Sequence, residues 1–227
     1  DDLPQLKALW ALGFGDTEQE IEAFFAISYP TATGFCAEED GSMIAAAYAL
    51  PLLGAHQLRN AAAVIETVQV LRARGWKLEQ SDVEHGLYAV AWPARFEVVA
   101  DDPYFVVDGG HNPQCAQTVA DNLRAYFPDR KHVLLVGVLA DKDYMGLTEI
   151  LDTAADEYVC VTPASPRALP AEKLGECVAR FGKPVTVCAS IREGVGAAQD
   201  AAGADGVACA VGSLYMAGEI RGCFGLK

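Results

Sequence analysis

From Ala94 onward, short apolar runs alternate with stretches whose apolar positions recur every three or four residues. The runs are RFEVV (95–99), YFVV (104–107), HVLLVGVL (132–139), EYVCVT (157–162), PVTVC (184–188) and GVACAVG (206–212). Continuous apolar runs of this length are what strands buried on both faces look like, and the intervening helical periodicity supplies the covering layers. Residues 94–227 are therefore expected to form one α/β domain with a Rossmann-like, mostly parallel sheet. Asn112 followed by Pro113 places a cap and a first-turn proline before a helix over PQCAQTVADNLRAYF. Ser190 with Glu193 has the spacing of a capping box.

The front part follows a different pattern. DTEQEIEAFFAI (16–27) predicts a short amphipathic helix, and TATGFCAEEDGS (31–42) a loop or hairpin. HQLRNAAAVIETVQVLRARG (56–75) predicts a strong helix with Leu58, Ala61, Ala62, Ile65, Val68 and Leu71 on one stripe, ended by Gly75 as its C′ residue. A second helix, SDVEHGLYAVAW, is expected to open at Ser81 with Glu84 three residues later, and Pro93 marks the boundary. Residues 1–93 offer too few strands to close a sheet, so this part is expected to be mainly helical.

Composition narrows the chemistry. The formal net charge of −14 excludes the basic footprint that nucleic acid requires. It also means that an anionic ligand must be held by local cations. No apolar run reaches the roughly 20 residues of a membrane span, and no basic-then-apolar leader opens the sequence. The seven cysteines show no CxxC pair, and Cys160, Cys188 and Cys209 lie in apolar runs as reduced core residues do. These features point to a cytoplasmic protein. His56, His85 and His132 have no partner at metal spacing, so no metal ligand is expected.

The densest chemistry lies at VDGGHNP (107–113), where a strand should meet a helix. Ligands of α/β sheets bind at such corners, and a helix start offers N–H groups to an anion. Asp108 can accept from ribose hydroxyls there, and His111 can reach phosphate or ribose. On the bland alternative, the corner is a capped turn with a polar rim. Lys142, in ADKDY after the run at 132–139, falls at the same edge, as does Ser213 after GVACAVG. Each has an ordinary reading as well: a solvated loop lysine and a plain helix cap.

LPLLGAHQLRNAAAVIE (50–66), PARFEVV (93–99), VVDGGHNPQCA (106–116), VGVLADKDY (136–144), VTPASPRALPAEKL (161–174) and VGSLYMAGEIR (211–221) occur in that order. This series resembles the folylpolyglutamate synthase and dihydrofolate synthase family, relatives of the Mur ligases. TPASPRAL and GSLYMAGEIR favour the folate branch. The resemblance implies an ATP- and Mg²⁺-dependent ligase that joins L-glutamate to a folate or dihydropteroate carboxylate through an acyl phosphate. It assigns Asn60 to the adenine edge, Arg95 to the ATP phosphates, Asp108 to the ribose and His111 to ATP or the cleft wall. Lys142 would stabilise the acyl-phosphate transition state or hold a glutamate carboxylate, and Ser213 would bind the incoming glutamate. Arg167 and Arg221 are expected to be structural or surface residues.

The family's phosphate loop, G-x-x-x-x-G-K-[ST], has no match in the sequence, and GVGAAQDAAG (194–203) stands inside a helical pattern. The family's Mg²⁺-binding acid and modified lysine have no visible counterpart either. The expectation is therefore a partial tail of an ATPase domain (1–93) followed by the ligase domain (94–227), inactive alone, with the 56–75 helix stripe either self-associating or repacked by residues 1–30. A Mur-type peptide ligase, or a non-catalytic nucleotide- or partner-binding module, is the competing expectation.

Overall fold

The computed structural model describes residues 36–39, 42–46 and 50–226. They fall into two compact units, one containing Ala55–Ala91 with the described residues up to Pro51, the other Leu52–Gly54 with residues 92 onward. The expected helix at 16–27 lies outside the described residues. In the first unit, β1 (Cys36–Glu39) and β2 (Ser42–Ala46) pair antiparallel, so the hairpin reading of that region holds and the unit is not purely helical.

Helix α1 (His56–Ala73) ends where predicted, with Gly75 at φ +90° behind the C-cap Arg74. Trp76 N–H closes back on Leu71 O at 3.1 Å, satisfying a carbonyl that the helix end leaves open. The stripe from Leu58 to Leu71 is half-buried along its length. Helix α2 (Gln80–Tyr88) starts earlier than expected. Its cap is Glu79, whose side chain accepts from the backbone of Asp82 while Asp82 accepts from Glu79 N–H at 2.9 Å. This reciprocal pair outcompetes Ser81 for the helix start.

The second unit is a six-stranded sheet between two helical layers. Its strands are β3 (Glu97–Asp101), β4 (Tyr104–Val107), β5 (His132–Val136), β6 (Glu157–Cys160), β7 (Val185–Val187) and β8 (Val207–Val211). They run in the order β3-β4-β8-β5-β6-β7, all parallel except β3. Side chains alternate across the sheet. Val106, Leu134, Val136, Tyr158, Cys160 and Cys209 meet the helices α3 (Pro113–Tyr126), α4 (Tyr144–Asp152) and α5 (Ala171–Ala179). Phe105, Val107, Leu135, Val159, Ala208 and Ala210 meet α6 (Ile191–Ala202) and α7 (Leu214–Cys223). Burial pushes the Cys160 thiol up to about 12, which keeps it an inert core residue.

The strands are shorter than their apolar runs. Val138, Leu139 and Val161 are buried beyond the strand ends, because the loops they belong to are themselves packed. Beyond β5 and β6 those loops continue as a bridge between Leu139 and Ala168. Asn112 accepts from Cys115 N–H at 2.9 Å and Ser190 Oγ from Glu193 N–H at 3.1 Å, as their spacing predicts. Gly194 lies within α6, where a Cβ would stand 2.5 Å from Val161 Cγ1, so the glycine there serves helix-on-sheet packing.

Candidate functional site

Because β4, β8, β5 and β6 are parallel, their C-terminal ends share one edge, and β3 delivers its N-terminal end to the same place through the Glu97–Val107 pairing. Arg95, Asp108, His111, Lys142 and Ser213 therefore all leave the sheet at one edge. Asn60 belongs to the first unit, where its Nδ2 donates to Gln57 Oε1 at 2.7 Å.

Arg95 rides on a short strap in front of β3. Its neighbours Ala94 and Phe96 both take left-handed backbone, at φ 54° and 48°, which non-glycine residues adopt only when the surroundings compel it. The compulsion is visible in the hydrogen bonds. Phe96 N–H donates to Asp108 Oδ2 at 2.9 Å, Gly109 N–H to Ala94 O at 2.8 Å, and Ala94 N–H to Glu97 Oε2 at 2.8 Å. Glu97 Oε1 accepts from Arg221, a largely buried pair that ties α7 to the strap. Ala94 and Phe96 are buried while Arg95 between them is exposed. The strap's geometry thus turns the guanidinium outward.

Asp108 is 7% exposed, and its second oxygen accepts from Gly110 N–H at 2.7 Å. Burial raises its pKa, and the two backbone donors and the Arg95 charge pull the other way without cancelling it. Its carboxylate is thus engaged in holding both the strap and the corner. His111 is half-buried, with Nδ1 3.2 Å from Gly109 O.

The glycines at this edge serve backbone-to-backbone approach. Gly212, at φ +112°, donates to Gly110 O at 2.9 Å, and a Cβ on it would stand 2.5 Å from Gly137 O. A Cβ on Gly109 would overlap the Leu214 side chain. Three adjacent strand ends are closed together in this way.

Ser213 is buried and caps α7, its Oγ accepting from Tyr215 N–H at 3.2 Å. Lys142 lies half-buried in the turn before α4, between two aspartates. Asp143 caps α4 through Gly146 N–H at 2.9 Å, and Asp141 accepts from Arg167 Nη1 at 2.8 Å. Among the described residues neither Arg95 nor Lys142 makes an ion pair or side-chain hydrogen bond. With the starts of α3 and α7 nearby, the edge has the donors that an anionic ligand demands.

Glu97, Asp141 and Tyr215 were not singled out by sequence reasoning. Their partners lie far along the chain, with Glu97 and Arg221 separated by 124 positions, so no local pattern announces them. Asp143 did carry a signal, a cap residue just ahead of an apolar periodic stretch. No group of three or more His, Cys, Asp or Glu is placed to hold a metal among the described residues. No helix among them is long and apolar enough to cross a membrane.

Comparison with known proteins adds an independent line. The chain is 37% identical over 123 residues to the folylpolyglutamate synthase of Lacticaseibacillus casei, covering 53% of this chain and 28% of that protein. The structure of Mycobacterium tuberculosis folylpolyglutamate synthase complexed with ADP superposes with a TM-score of 0.70 at 31% identity, over 78% of this chain and 42% of that one. A bifunctional folylpolyglutamate/dihydrofolate synthase with Mn, AMPPNP and L-glutamate bound gives 0.68 at 26% identity, over 80% and 43%. The chain spans less than half the length of these relatives. The model of the Mur ligase glutamate ligase domain matches residues 94–214, which hold all six strands of the sheet, the helices α3 to α6 and the edge just described, and the chain belongs to that family.

Proposed function

We propose that this chain supplies the carboxy-terminal part of an ATP-dependent ligase that joins L-glutamate to a folate or dihydropteroate carboxylate. The observation that carries the reading is the coincidence of the family match over 94–214 with an edge presenting two cations without ion pairs among the described residues, Arg95 and Lys142. ATP supplies the phosphoryl group that activates the carboxylate before the glutamate amine displaces it. Arg95, held outward by its strap, meets the phosphates. Asp108 holds the strap and, through its remaining lone pairs, accepts from the ribose. His111 lines the same wall or contacts ATP. Lys142 offsets the charge of the activated carboxylate or holds a glutamate carboxylate, and Ser213 with the start of α7 receives the glutamate. The described residues provide no cluster for Mg²⁺, so no ligand for it is assigned within them.

Such a site requires a phosphate loop and metal ligands from elsewhere, so the chain by itself is expected to be inactive. The α1 stripe, which is only half-buried, is proposed as the surface through which the isolated chain self-associates. The test is glutamate-dependent phosphate release from ATP with dihydropteroate or tetrahydrofolate, measured on the full gene product and on this chain. Turnover by the full product alone supports the reading. Absence of turnover with either pterin substrate overturns it.

A further inference from the structure

We propose that Arg167 is a positioning residue that keeps the Lys142 ammonium unpaired by drawing Asp141 away from it. The inference rests on the reading that Lys142 meets an anionic group of the substrates. An ammonium between two carboxylates tends to be neutralised by the nearer one, and a neutralised cation contributes little to binding an incoming anion. In this turn both carboxylates are engaged elsewhere. Asp143 Oδ1 accepts from Gly146 N–H at 2.9 Å as the cap of α4. Asp141 Oδ2 accepts from Arg167 Nη1 at 2.8 Å.

Arg167 is itself fixed from several sides. Its carbonyl accepts from Ala140 N–H at 2.8 Å, and Leu169 N–H donates to Val138 O at 2.9 Å, so the loops after β5 and β6 run as one ribbon. Tyr215 on α7 lies beside the guanidinium and favours its charged form. The guanidinium thus sits where it reaches Asp141. Both side chains of the pair are about half exposed, at 53% and 49%, so the contact adds little to stability. What it decides is which partner Asp141 has.

The test is acetylation of the chain with limiting acetic anhydride, with peptide mass spectrometry comparing Lys142 to Lys173. Lys173 is exposed on α5, without an ion pair among the described residues, and serves as an internal reference. In the Arg167→Met variant Asp141 turns to Lys142, pairs with its ammonium and slows its acetylation about two- to fivefold, the span of an exposed ion pair. Arg167→Lys keeps most of the wild-type rate. Adding Asp141→Asn to Arg167→Met restores it. A rate unchanged in Arg167→Met overturns the proposal. So does a double variant that stays slow, because loss of loop structure or of direct Arg167–Lys142 repulsion would persist there. Protection of Lys142 by L-glutamate or AMPPNP in the full gene product is a separate arm. Its failure would count against the functional reading and leave the acetylation cycle intact.

Discussion

Phe96 donates its backbone N–H to the buried carboxylate of Asp108 at 2.9 Å, and that contact converts a corner aspartate into the anchor of the strap that carries Arg95. The other carboxylate oxygen holds Gly110 N–H at 2.7 Å. Asp108→Ala leaves both donors without their acceptor in a buried place, at about 1–3 kcal/mol for each unsatisfied group. Urea denaturation should show a loss of that order with an unchanged m-value. A loss well under 1 kcal/mol would mean that the strap does not depend on Asp108.

The same residue predicts a pH dependence. Its pKa is raised above 3.8 because burial outweighs the two N–H donors and Arg95. The folded protein therefore keeps this proton in a range where the unfolded chain has lost it. Its contribution to stability declines as pH rises from about 4 through the folded value and is flat above it. Asp108→Asn removes this step while costing an acceptor. The stability difference between wild type and variant, followed by denaturant titration across that range, should shrink as pH rises. A pH-independent difference would contradict the burial argument.

Gly212→Ala should be among the most damaging small substitutions in the chain. It places a Cβ 2.5 Å from Gly137 O and forces alanine to φ +112°. Strain and displacement together should cost about 2 kcal/mol or more, read as a lowered thermal midpoint. Gly196→Ala is the control, since a Cβ added at that point of α6 would meet nothing within 4 Å. It should be neutral or slightly stabilising.

Arg95→Ala and Ser213→Ala should separate chemistry from stability. Arg95 is exposed and has no ion pair with a described residue, so its removal should leave the thermal midpoint nearly unchanged. In the full gene product it should lower ATP-dependent turnover about 10²-fold, as loss of one preorganised charge donor does. Ser213→Ala should cost about 1 kcal/mol through the lost cap on α7 and raise the KM for L-glutamate. Equal effects on stability from both substitutions would undercut the role given to Arg95.

Much of the architecture was legible because its determinants are local. The starts of α3 and α6 follow from Asn112–Pro113 and Ser190–Glu193, each a contact within three or four residues. The runs at 132–139 and 157–162 overestimated their strands because hydrophobicity reports burial, and the loops beyond Val136 and Cys160 are buried too. At the candidate site, Asp108, His111, Lys142 and Ser213 could be named from their places at run ends, whereas Arg95 came only with the family resemblance. That the Asp108 oxygens hold backbone N–H groups could not be read, since Phe96 lies 12 positions away and nothing local shows which donors a corner carboxylate meets.

The sequence by itself determined the layers: apolar runs and three-to-four periodicity dictate a sheet with helices on both faces, because each side chain's environment follows from its position in its own element. Only the tertiary structure decided that β8 enters between β4 and β5, setting Ser213 beside the Asp108 corner and Tyr215 against Arg167. It also decided that the strap at Ala94–Phe96 bends the wrong way for its residues. Both depend on pairings between distant segments, whose energies are absent from any short window of the chain.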